Sequence, residues 1–202
     1  MIKYLSFLIA IVFLYCGCKK ETELKKTVFV SDPENSNLPL YSEWGYNTFG
    51  AYYDRAAFVS NDNEVAAKVM VTQNKTSFVL TGQKGSGSYY YNASNKMSIT
   101  FRLSGFLPED YRHLVTLNDT TLDLKNPGYS VVITEDTIDY QAAILNGTLQ
   151  IKRAQNLFVD TKQVEVILSG YFEFQALLKN KPVTISDGRF DVGIGSDNFY
   201  RY

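Results

Sequence analysis

Met97-Ser98-Ile99-Thr100-Phe101-Arg102-Leu103-Ser104 is the stretch that decides the fold class. Its apolar positions 97, 99, 101 and 103 alternate with polar positions 98, 100, 102 and 104. Successive side chains of an extended chain point to opposite sides, so this order puts all four apolar groups on one face. A helix, with its 3.6-residue period, would scatter them. A half-buried strand is predicted.

The same period recurs on both sides of it. Val164, Val166, Leu168, Phe172, Phe174 and Ala176 alternate with Glu165, Ser169, Tyr171, Glu173 and Gln175. Gly170 falls on the apolar face and Ile167 on the polar one, and a glycine inside so long a strand predicts a bulge or bend. Residues 47–53, 65–72, 77–81, 88–91, 129–134, 138–144, 148–152 and 183–192 are further predicted strands. Asn146-Gly147 reads as a hairpin turn, and Asp187-Gly188 as a turn or a bend within one strand. Residues 82–87 and Asn126-Pro127-Gly128 read as loops, and residues 108–113 as one helical turn. Fifteen Tyr and 13 Phe favour strands over helices. The expected architecture is an all-β, antiparallel β-sandwich, with a partly open β-barrel as the alternative.

The N-terminus carries an address. Met1-Ile2-Lys3 opens with a positive charge, and residues 5–15 are apolar apart from Ser6. That run is shorter than the about 20 residues needed to cross a bilayer, and matches the core of a secretory signal peptide. Gly17-Cys18 resembles a lipobox, the site cut by bacterial lipoprotein signal peptidase. Cys16 is the competing residue, but bulky Tyr15 directly precedes it, which favours Cys18. The expected organisation is a signal peptide at 1–17, a lipid-anchored tether at 18–43 and a β-domain at 44–202. Lys19-Lys20-Glu21-Thr22-Glu23 and Asp32-Pro33-Glu34-Asn35-Ser36-Asn37 are polar enough to stay flexible in that tether. Both cysteines belong to the processing site. A mature domain is thus expected to have no disulfide, no thiol nucleophile and no cysteine metal ligand.

A family resemblance lies in Asn47-Thr48-Phe49-Gly50-Ala51-Tyr52, Gly147-Thr148-Leu149-Gln150-Ile151 and Ile185-Ser186-Asp187-Gly188-Arg189-Phe190-Asp191-Val192. These resemble small Bacteroidota lipoproteins that carry a β-rich domain of unknown function, over most of residues 44–194. The resemblance implies an envelope β-domain and brings no catalytic residues. The implied location is the outer membrane, with the periplasmic face and the cell surface both open.

Composition and inventory narrow the chemistry. Twenty basic side chains balance 21 acidic ones, so nothing favours nucleic acid, which needs a concentrated basic face. His113 is the only histidine. A Ser-His-Asp triad would have to use it, and zinc would lack ligands; an exposed loop histidine is the plainer account. Glu135-Asp136 with Asp139, or Asp119 with Asp123, are the acid groups dense enough for glycoside hydrolysis. Asn118-Asp119-Thr120, or Asp187 with Asp191, are oxygen-rich enough for calcium, although turn chemistry or pairing with Arg189 explains them more simply. No metal and no cofactor is expected.

Aromatics are the remaining sign of binding. Trp44, Tyr46 and Tyr90 are the candidate ligand contacts, with Tyr52, Tyr53, Tyr89 and Tyr91 nearby in sequence. The expected function is a lipid-anchored cell-envelope protein with a non-enzymatic binding or structural role, held to the membrane through Cys18 and meeting a glycan or protein partner. The alternatives are a carbohydrate-binding accessory of a glycan-uptake system and, after it, a carboxylate-based envelope hydrolase.

Overall fold

A computed structural model describes residues 26–60, 65–85 and 96–202. Cys18, Tyr90 and the predicted strand at 88–91 lie outside the described residues. The chain is all-β, as its alternation predicts. Its strands are β1 (Thr48–Tyr53), β2 (Ala56–Val59), β3 (Ala67–Val71), β4 (Lys75–Lys84), β5 (Lys96–Ser104), β6 (Thr120–Asp123), β7 (Tyr129–Glu135), β8 (Ile138–Val159), β9 (Lys162–Leu178), β10 (Lys181–Gly195) and β11 (Phe199–Arg201).

They form one sheet in the order β11-β3-β4-β2-β1-β10-β9-β8-β7-β5, with β6 on β8. A further pairing of β4 with β5 closes the run from β4 to β5 into a ring of strands, with β3 and β11 attached beside β4. Pairing is antiparallel except between β11 and β3. The two halves of the sheet face one another across one core. Phe101 of β5 packs edge-on against Phe172 of β9, with ring centroids 5.4 Å apart, although the two strands are not neighbours in the sheet. Asn198 fastens the C-terminal turn: its buried amide bonds Gly195 N–H and the carbonyls of Ala67 and Gly193.

Met97, Ile99, Phe101 and Leu103 are all buried, so the deciding stretch has the predicted register. Several predictions need correction. Asn146-Gly147 is not a hairpin turn. β8 runs through it as a bulge, with a register shift against β9 between Ile144 and Asn146 and Gly147 at φ +144°. Twist and bulge residues share the backbone freedom of turn residues, which is why the dipeptide misleads. Gly82, Gln83 and Lys84 are the end of β4, not loop, since β2 and β5 both pair there. On β9, Ile167 and Ser169 are buried rather than exposed, because another segment covers that face. The bulge expected at Gly170 lies on the partner strand, where β8 shifts register between Ile151 and Arg153. Asp187-Gly188 is the bend within one strand, at a register shift of β10. The helical turn is a 3-10 helix at Tyr111–Leu117, capped by Asp110 and so starting a little later than predicted.

The covering segment is residues 28–46, most of which were read as tether. It is not a free linker. Leu38 is fully buried, Ser31 and Pro39 bridge as strand partners, and Val28 N–H bonds Tyr46 O. We call it the strap. Its polar composition misleads because the few apolar residues it buries, such as Leu38, are joined by polar anchors supplied by the sheet beneath it. Among the described residues no helix is long and apolar enough to cross a membrane.

Candidate functional site

The strap lies on the outer face of β1, β8, β9 and β10. Strand pairing aligns Tyr171 with Arg189, Ser169 with Asp191, and Ile167 with Gly193, and each row meets a different part of the strap. Arg189 and Asp32 form an ion pair whose side chains are only 12% exposed. The Glu34 N–H, the Arg189 guanidinium and the Asn35 N–H hold the Asp32 carboxyl below its usual range, against the opposing effect of burial. Tyr41 stacks on Tyr171 with centroids 4.4 Å apart. Burial pushes the Tyr41 phenol well up, and its hydrogen bond to Glu43 adds to this.

Asp191 is the hub. It is 1% exposed and sits at the centre of five donors. Gly45 N–H (2.8 Å) and the Ser169 hydroxyl (3.0 Å) donate to Oδ1. Trp44 N–H (3.2 Å), Tyr46 N–H (3.1 Å) and the Ser42 hydroxyl donate to Oδ2. Three successive backbone N–H groups turned toward one point make an anion-binding nest, and here the sheet's own carboxylate fills it. The nest needs Gly45 at φ +76°, a region glycine enters without steric cost. Gly50 matters for a different reason: a Cβ there would stand 2.3 Å from Pro39 Cδ, so only glycine lets the strap lie this close to β1.

The residues singled out from sequence sort clearly against this geometry. Trp44 projects outward at 74% exposure, and Tyr46 is half-buried; both touch Asp191 through the backbone rather than the ring. Tyr52 and Tyr53 lie on β1, where burial with Glu135 and Asp54 nearby pushes the Tyr53 phenol up to about 12. His113 is exposed on the 3-10 helix and accepts from Glu109 N–H. Glu135 is held by Lys84 (2.9 Å) and Lys179 (4.0 Å), and Asp139 by the Thr134 hydroxyl. Asp123 caps its own turn through Lys125 N–H. Asp119 is an exposed turn residue at φ +56°, and Asn118 accepts from Ala154 N–H. The calcium reading of Asp187 with Asp191 fails, because Asp191 is ringed by hydrogen-bond donors, which suit an anion and repel a cation, while Asp187 is exposed at the bend. Arg189 forms its ion pair with Asp32, and it meets Asp187 only at the backbone carbonyl.

Two hollows stand out among the described residues. One, about 20 Å³ and lined by Val69, Phe78, Phe101, Leu168, Phe190 and Val192 among others, is a packing gap in the core. The other is an open groove of about 340 Å³ at the end of β3, β4 and β5, where Asp136 is accompanied by Lys68 and Lys96. Among the described residues no three His, Cys, Asp or Glu side chains gather as a metal site.

Sequence reasoning missed Asp32, Tyr41, Tyr171, Arg189 as a strap anchor, and Asp191 as a hub. The one signal available was Gly45 beside Asn47, two residues able to take positive φ just ahead of β1. No known protein-family model matches the chain, and neither a curated protein nor a solved structure is found similar to it.

Proposed function

We propose that this chain is a lipid-anchored cell-envelope protein, modified at Cys18, whose β-domain has a non-enzymatic binding or structural role. The observation that carries the reading is the strap. Its inner side is fixed to the sheet by Asp191 and Arg189, and its outer side presents Trp44 to solvent. A rigidly held, outward ring close behind an anchor is a contact surface rather than a reaction centre. The acids that would serve a hydrolase are instead spent on turns and ion pairs across three separate stretches. The signal peptide at 1–17, the lipobox-like Gly17-Cys18 and the resemblance to Bacteroidota lipoproteins support an outer-membrane location.

Cys18→Ala tests the anchor. The variant is expected to lose radiolabelled palmitate and to accumulate uncleaved; normal palmitate uptake would move the lipid to Cys16. A carbohydrate-binding role is the second reading, favoured by the exposure of Trp44 beside the Tyr41–Tyr171 stack. It predicts glycan-array binding that Trp44→Ala weakens, and array silence refutes it.

A further inference from the structure

We infer that the outer side of the strap is a membrane-contact surface, which seats the β-domain against the lipid bilayer that holds its anchor. This rests on the lipid-anchored reading above. Five exposed large apolar side chains fall within a short span: Val28, Phe29, Val30, Leu40 and Trp44 are each 44–74% exposed. The backbone brings them together. Leu40 N–H bonds Val30 O, and Val28 N–H bonds Tyr46 O, so the backbone of residues 28–30 runs directly beside residues 40 and 46. Elsewhere on the described surface such side chains are more dispersed, with Tyr200 and Tyr202 at the C-terminus the exception.

Three features select a bilayer as the occupant. The first is reach. Val28 is ten residue steps from Cys18, a span of at most about 35 Å even when fully extended, so an anchored chain holds this patch close to the lipid surface. The second is charge. Lys19, Lys20, Lys25 and Lys26 precede the patch and outnumber Glu21 and Glu23, as suits an anionic headgroup layer. The third is residue type. Tryptophan is enriched at the membrane interface, where its ring contacts acyl chains and its N–H stays among headgroups, and the apolar side chains of Phe29 and Leu40 suit the same shallow depth. The strap's rigid backing matters here. Because Asp191 and Arg189 already fix its backbone, seating it requires little further ordering.

Trp44 is the only tryptophan, so it reports its own environment. The full-length protein, purified from bacterial membranes, is reconstituted into vesicles of phosphatidylethanolamine and phosphatidylglycerol containing brominated lipid. Mass spectrometry of the N-terminal peptide measures lipidation in the same sample. Roughly half of the Trp44 emission should be lost to bromine, with a blue shift and with protection from aqueous iodide. Phe29→Ser combined with Leu40→Ser, both at exposed positions, should restore most of the iodide quenching without changing the far-ultraviolet circular dichroism. A lipidated protein whose Trp44 remains open to iodide overturns the bilayer contact and leaves the anchor standing. Quenching by bromine without lipidation supports the contact and removes the anchor. Absence of both overturns both. Protection of Trp44 by a soluble oligosaccharide, with no effect of vesicles, assigns the surface to glycan and refutes the bilayer contact.

Discussion

Replacing Asp191 by Asn keeps the side-chain volume and removes one acceptor, so its cost can be worked from the donor geometry. An amide nitrogen at the Oδ2 position would face two backbone N–H groups that cannot turn, those of Trp44 and Tyr46. At the Oδ1 position it faces Gly45 N–H and the Ser169 hydroxyl, and the hydroxyl can rotate to accept. The second placement therefore wins, and one N–H, that of Gly45, is orphaned. An orphaned buried donor costs about 1–3 kcal/mol, and the remaining bonds lose their charge assistance, for a total of about 3–5 kcal/mol. Ser169→Ala removes a single bond to the carboxylate and should cost about 1.5–3 kcal/mol. Asp191→Ala, which orphans every donor, should be the worst of the three. Urea titration with two probes reads this out. Trp44 fluorescence follows the strap, and far-ultraviolet circular dichroism follows the sheet. In Asp191→Asn the Trp44 transition should move to lower urea and separate from the dichroism transition, because the lost bonds hold strap to sheet rather than strand to strand. A shift of the Trp44 transition by less than about 1 kcal/mol would refute the hub, since natural surface changes already span that range.

Asp32 gives the strap a pH response. Its carboxyl titrates below its unfolded value, so its contribution is whole above about pH 4 and is lost as the pH falls through the lower, folded value; Trp44 emission should show loosening in acid, and Arg189→Gln should flatten that response. In the core, Phe101→Ala and Phe172→Ala should each cost about 3–5 kcal/mol by denaturant unfolding, while Arg102→Ala on the other face of β5 costs far less; the reverse order would refute the register. Gly50→Ala puts a methyl group against Pro39 and should destabilise strap docking by about 1–3 kcal/mol, seen as faster proteolysis within residues 28–43 at unchanged sheet dichroism.

What the sequence made legible depends on how local the deciding contacts are. β5 was readable residue by residue, because each of its faces has one environment along its whole length. The same held for β9 from Tyr171 to Ala176. It failed at Ile167 and Ser169, where the outer face has a lid made by residues more than a hundred positions earlier. The tether was misjudged for the same reason: composition measures what a segment can bury by itself, and the strap is held by Asp191 and Arg189. β8 looked like two strands because the residues that allow a bulge are the residues that allow a turn. Trp44 and Tyr46 were singled out for their rings, but their bonds to the hub come from backbone N–H groups, which no side-chain inventory displays.

The span between Asp32 and Arg189, 157 residues, also sets an order of events. Synthesis delivers the N-terminal end first. When the strap emerges, neither Arg189 nor Asp191 exists in folded form, and β10 must find both β9 and β1 before the nest has a carboxylate to close around. Contacts this distant in sequence form late, after the closer pairings have shortened the loops between them. The first part of the domain to be made is thus the last to settle. The clasp shuts only once the final strands have arrived, and until then residues 28–46 have no carboxylate to close around.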